Sequence, residues 1–235
     1  MHVRAFSRDV TLRADACAVC TCAESLVICI SLPPNTPLPC NFPEGTTSLS
    51  FRYSGTRIQD PVMLGSVPEL TLLDMSNNSI SALVPDLFAN NTELGILILS
   101  KNYITVIPNG LLDPLTRLTY LDLSFNRFDT LYSNVFENST IILSLFLYGN
   151  PIKTIQKSAF LGLDHLMDLG LNCTGLPASC VGGFLFGRGS LTTIEPGAMF
   201  GLNMLSDLRL AYVRIYFYCW FVVVVLIVFS FTRMY

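Results

Sequence analysis

The side chains with chemistry to offer in this 235-residue chain are eight cysteines, two histidines and a scatter of aspartates. Four cysteines form one run, Cys17-x2-Cys20-x-Cys22-x6-Cys29. Thiols at this spacing suit either interlocked disulfides or a zinc site, which takes thiolate ligands. Cys40 follows without a partner in sequence, Cys173 and Cys180 are close enough to bridge each other, and Cys219 stands alone. Asp74, Asp122 and Asp168 read as one acidic column, with Asp74 and Asp122 two strands and so roughly 10 Å apart, too far for shared acid–base work. No base, nucleophile and oxyanion donor assemble around them. His2 and His165 give little material for imidazole chemistry. Gly182-Gly183 and Gly187-Arg188-Gly189 lack the strand–turn–helix setting of a phosphate cradle. The expectation is a protein that is not an enzyme and holds no metal and no cofactor.

Composition narrows the rest. Hydrophobic residues make up 51% and charged residues 13%, which excludes a disordered chain. Lys and Arg number 14 against 17 Asp and Glu, so there is no basic excess for phosphates and no nucleic-acid partner is expected.

What positions these residues is an internal repeat. The pattern L-x-x-L-x-L-x-x-N-x-L fits Leu70, Leu73, Met75, Asn78, Ile80, and again Leu94, Leu97, Leu99, Asn102, Ile104. It returns as Leu118, Leu121, Leu123, Asn126, Phe128 and as Ile142, Leu145, Leu147, Asn150, Ile152. A fifth copy starts at Leu166, Leu169, Leu171, with Thr174 where Asn is expected. Starts at 70, 94, 118, 142 and 166 are each 24 residues apart. Backwards, the frame reaches Thr46, Leu49 and Phe51; forwards it resumes at Leu205, Leu208 and Leu210, 39 residues on, or 24 plus 15. Residues 176–190 are therefore read as an insertion. A bulky apolar residue follows each start by 18 positions: Phe88, Leu112, Phe136, Phe160. Packed amphipathic helices would not require an Asn at every twenty-fourth residue.

This pattern resembles the leucine-rich repeat family in its 24-residue extracellular type, across roughly residues 17–210. The resemblance implies an α/β solenoid or horseshoe with a parallel sheet on the concave face and an irregular or short-helical convex face. Asn78, Asn102, Asn126 and Asn150 become a buried ladder satisfying backbone groups of neighbouring turns. The cysteine run, within 17–45, is similar to the family's N-terminal cysteine cap, which implies the pairs Cys17–Cys22 and Cys20–Cys29. The family's C-terminal cysteine cap is not seen, since only Cys219 follows Leu210.

Residues 1–16 show no apolar core of a signal peptide. Four glycosylation acceptors, Asn77, Asn90, Asn138 and Asn172, nevertheless point to secretion, with Asn90 and Asn138 in one phase on the outer side of the repeat. After the repeats (46–210), the tail 211–235 contains a nearly unbroken apolar run. As a helix, Tyr212–Phe231 would span about 30 Å, enough for one membrane crossing. The expectation is a single-pass membrane protein with its repeats outside the cell.

Outward positions lie two, four, six and seven residues after each start. Those expected to meet a partner are Tyr53, Asp74, Ile98, Tyr120, Asp122, Phe125, Phe146, Tyr148 and Asp168, with Tyr120, Phe125, Phe146 and Tyr148 as the best contact patch. Similarity to ectodomains of Toll-like receptors, variable lymphocyte receptors, Slit-type guidance proteins and repeat-containing adhesion proteins implies cell-surface recognition of an extracellular protein or glycan. A co-receptor or a dimer would supply signalling. The alternative is a secreted matrix protein with no membrane span.

Overall fold

A three-residue strand cannot bury its own apolar face, so each repeat depends on the coil before and the coil after it. The computed structural model describes residues 14–32, 39–53, 64–171 and 192–209. In chain order the elements are β1 (Ala14–Asp15), α1 (Ala16–Val19), β2 (Thr21–Ala23), β3 (Leu26–Ile30), β4 (Pro39–Cys40), β5 (Ser48–Arg52), β6 (Leu72–Asp74), β7 (Ile96–Ile98), β8 (Tyr120–Asp122), β9 (Thr130–Leu131), β10 (Ser144–Phe146), β11 (Thr154–Ile155), β12 (Asp168–Gly170), β13 (Thr193–Ile194) and β14 (Asp207–Arg209). One nine-stranded sheet runs in the order β14-β12-β10-β8-β7-β6-β5-β3-β2. All of its pairings are parallel except β2 with β3.

The register superimposes equivalent residues. Leu49 pairs with Leu73, Leu73 with Leu97, Leu97 with Leu121, Leu121 with Leu145 and Leu145 with Leu169. Every one of these side chains is buried. Phe88, Leu112, Phe136 and Phe160 fill the opposite side of the same core. Between β12 and β14 the pairing jumps from Asp168 to Asp207, and between β11 and β13 from Thr154 to Thr193, 39 residues in each case. The extra length lies between those strands, while the insertion 176–190 itself is outside the described residues.

The convex side takes the irregular form of the two expected for it. The chain crosses back in turns closed by i to i+3 bonds, such as Leu87 N–H to Val84 O, Asn91 N–H to Phe88 O and Leu163 N–H to Phe160 O. A second parallel sheet, β13-β11-β9, forms beside these turns.

The membrane placement needs correction. Among the described residues no helix is long and apolar enough to cross a membrane. α1 has four residues, roughly 6 Å at 1.5 Å per residue, against about 30 Å of hydrocarbon. The expected span at 212–231 and the C-terminal apolar helix lie outside the described residues, as do Cys173, Cys180, Cys219 and Asn172.

At the N-terminal end Cys17 bonds to Cys22 and Cys20 to Cys29. β3, which carries Cys29, pairs with β5 over five residues, so the disulfide-bonded segment continues the sheet.

The corners after β6, β7, β8 and β10 are each held by an asparagine. Asn102 donates to Met75 O in the preceding coil (2.9 Å) and to Leu99 O in its own (3.0 Å), while its Oδ1 accepts from Ile80 N–H (3.1 Å). Asn126 repeats this one coil on, with Leu99 O at 2.9 Å, Leu123 O at 3.1 Å and Ile104 N–H at 3.0 Å. Asn150 does so with Leu123 O, Leu147 O and Phe128 N–H, and Asn78 donates to Phe51 O and Met75 O. A buried unpaired peptide group costs about 1–3 kcal/mol. Asn126→Leu, close in size but without hydrogen-bonding groups, should therefore destabilise the protein by about 1–3 kcal/mol in urea unfolding; an unchanged midpoint would count against the ladder.

Candidate functional site

The residue before each ladder asparagine is left-handed: Asn77, Lys101, Phe125 and Gly149 have φ between 52° and 72°, as does Tyr53 at the same place in the first coil. This conformation turns the chain so that the next side chain points inward, and it costs roughly 1–2 kcal/mol for a residue with a Cβ. Asn77 and Gly149 tolerate it; Tyr53, Lys101 and Phe125 are held there by the backbone bonds on either side. Tyr53 N–H donates to Asn77 O, Lys101 N–H to Ser124 O and Phe125 N–H to Tyr148 O. The same corner leaves the side chains of this column at the margin of the concave face.

On that face β8, β10 and the turns that follow them bring four rings together. Tyr120 and Phe146 have centroids 5.3 Å apart, Phe146 and Tyr148 5.9 Å, and Phe125 and Tyr148 5.4 Å. All four are half-buried. The tilted and edge-to-face geometries are those that aromatic quadrupoles prefer. Two glycines let the rings lie down on the sheet. A Cβ at Gly149 would meet Phe125 Cδ1 at 2.5 Å, and one at Gly170 would meet Phe146 Cδ1 at 3.1 Å and Tyr148 Cδ1 at 3.2 Å. Gly149 and Gly170 are outward positions in the repeat, and their role as seats for the rings was not read from the sequence. The available signal was that glycine follows an aromatic residue in the same column.

The acidic residues do not form the single column expected. Asp74 and Asp122 share one row, separated by Ile98. Asp168 sits in the neighbouring row, paired with Ser144, which pairs in turn with Tyr120. Asp74 is tied down: Arg52 Nε lies 2.7 Å from its Oδ2, and its Oδ1 accepts from Ser76 N–H. Asp122 Oδ1 accepts from Ser124 N–H (2.9 Å) and Ser124 Oγ (2.6 Å), and Ser144 Oγ donates to Asp168 Oδ2. Tyr53 is exposed at the N-terminal end of the face, several coils from the rings. Asp207 and Arg209 follow in β14, in register with Asp168 and Gly170.

Of the glycosylation acceptors, Asn90 and Asn138 are exposed and Asn77 is half-buried. Beside Asn90 the sequence reading missed a buried amide: Asn91 donates from Nδ2 to Leu64 O and Val67 O, both at 3.0 Å. Its signal was an Asn at a position where the neighbouring units carry Val67 and Leu115.

Comparison with known proteins agrees with this geometry. The family model described as leucine rich repeat matches residues 68–128 and again 116–176. Residues 68–176 are thus similar to leucine-rich repeats. The solenoid is similar to the crystal structure of a TLR13–ssRNA13 complex, with a TM-score of 0.52 and 22% sequence identity over 73% of this chain and 26% of that one. The chain thus spans about a quarter of that protein's length. No curated protein matches the sequence. Leucine-rich repeats are binding scaffolds whose stacking creates extended concave surfaces.

Burial, and then the charge of Asp122 and the Tyr148 phenol, push the Tyr120 phenol above its ordinary value. The folded state therefore holds this proton more tightly than the unfolded chain. The resulting contribution to stability is whole below about pH 10 and is lost as pH rises through the folded value. Absorbance titration of the tyrosinates should show a late phase that Tyr120→Phe removes and Asp122→Asn moves to lower pH. A Tyr120→Phe profile that keeps the late phase would contradict the assignment.

Proposed function

We propose that the concave face binds an extracellular protein partner through Tyr120, Phe125, Phe146 and Tyr148, and that the disulfide-bonded segment 17–45 caps the N-terminal end of the solenoid. The observation that carries the binding reading is the set of four contiguous half-buried rings on a rigid sheet. Half-buried aromatics already ordered by glycine seats give up little conformational entropy on binding, and such residues dominate interface energetics. Two disulfides fit an oxidising compartment, which favours a secreted or matrix-type protein as the setting.

The similar TLR13 structure is a complex with ssRNA13. In this chain Asp122 and Asp168 flank the rings, which favours a protein over a polyanion.

Binding to an array of secreted proteins, with single-stranded RNA and glycans alongside, tests the reading. Tyr120→Ala/Phe146→Ala should retain the circular dichroism of the folded protein and lose a bound partner by about tenfold or more. Equal binding by the double variant, or preference for the RNA, would overturn it. The compartment is tested separately: protein expressed through the secretory pathway should lose mass on glycosidase treatment, and Asn90→Gln/Asn138→Gln should abolish most of that loss. Unmodified Asn90 and Asn138 would contradict the secretory placement.

A further inference from the structure

Asp74 and Asp122 occupy equivalent positions two coils apart, but their surroundings differ. Asp74 is neutralised by Arg52 at 2.7 Å. Asp122 receives only the neutral donors of Ser124, and among the described residues neither Asp122 nor Asp168 forms an ion pair. Their positions around the rings are specific. Asp122 is two residues from Tyr120 on β8 and is the register partner of Phe146 on β10. Asp168, on β12, lies beyond Ser144 in the row that begins at Tyr120. The Tyr120–Phe146 pair is thus bracketed by two carboxylates, one on each side of β10.

Rings and carboxylates favour the same kind of guest. An aromatic face attracts a cation through its quadrupole, more strongly when the site is partly dried, and a carboxylate beside it adds a direct counter-charge. An uncharged apolar partner would gain from the rings but would have to desolvate Asp122 and Asp168 without return. An anionic partner would meet like charge. Lys101 is exposed in the margin column one coil from Phe125, and Arg209 on β14 falls in the row that runs through Asp122, Phe146 and Gly170.

We infer that the patch recognises the positively charged side chain of a lysine or arginine in a protein segment, packed against Tyr120 and Phe146 with Asp122 and Asp168 as its counter-ions. The inference deepens the reading of the concave face as the binding surface and rests on it.

The test uses the full chain and a defined probe: fluorescein-labelled octa-arginine, with the octa-citrulline peptide as an uncharged analogue of the same shape, followed by anisotropy. Octa-arginine should bind at about 20 mM salt and weaken several-fold at about 150 mM, as screening shortens the reach of the carboxylates. Octa-citrulline should bind about tenfold more weakly or worse. Asp122→Asn/Asp168→Asn should lose about tenfold for octa-arginine. Asp86→Asn/Asp129→Asn makes the same change in net charge at two exposed residues outside the ring patch, and should stay within about twofold of wild type. Equal loss in both double variants, equal binding of the two peptides, or salt-independent binding by the wild-type chain would overturn the inference; the last two need no variant to fold. A partner from the protein array that is lost by Tyr120→Ala/Phe146→Ala but kept by Asp122→Asn/Asp168→Asn would remove the cation and leave the binding surface in place. A partner kept by both would remove both.

Discussion

The structure depends on how a coil turns its corner without leaving peptide groups dry and unpaired. At the end of each strand the chain bends into the core, where water cannot reach its carbonyls and N–H groups. One amide side chain resolves this, because asparagine both donates and accepts. Asn126 holds a carbonyl of the coil behind it, a carbonyl of its own coil and an N–H of the coil behind it. Each such bond contributes about 1 kcal/mol net, but leaving the groups unpaired costs more. The asparagine works only when its neighbour stands directly above or below it, so the corner also fixes the repeat length. The left-handed residue before it belongs to the same device.

Once the corner is fixed, columns follow. Leu73, Leu97, Leu121 and Leu145 fall into register because the asparagines do, and outward residues form columns just as regular. A partner therefore meets a grid in which neighbouring coils present equivalent positions. In β8 and β10 and the turns that follow them the grid carries rings, and Gly149 and Gly170 provide the space in which those rings lie flat. The surface is ordered by the fold before any partner arrives, which lowers the entropic cost of binding.

Much of this was legible in the sequence, because hydrophobic spacing and the periodic asparagine report directly on stacking. The starts at 70, 94, 118 and 142 predict which leucines are buried, and Asn78, Asn102, Asn126 and Asn150 announce the corner. Other features leave weaker marks. β9, β11 and β13 are two residues long, too short for any alternation to show. The left-handed column contains Tyr53, Lys101 and Phe125, residue types that carry no signal for that conformation. The bond between Arg52 and Asp74 is a matter of side-chain reach between adjacent coils, and only coordinates distinguish Asp74 from Asp122. Asp168 stands two residues after the start of its repeat, whereas Asp74 and Asp122 stand four after theirs, which places it in the neighbouring row. The apolar tail led to a membrane placement that the described helical structure does not support.

The most direct test of the corner is amide hydrogen exchange at Ile80, Ile104 and Phe128. Their N–H groups lie outside the strands but donate to Asn102, Asn126 and Asn150 of the next coil. The account predicts protection comparable to that of the strand amides of Leu97 and Leu121, since all would open only when coils separate. Exchange at the rate of exposed loop amides, with the strands still protected, would show that the asparagines do not join one coil to the next.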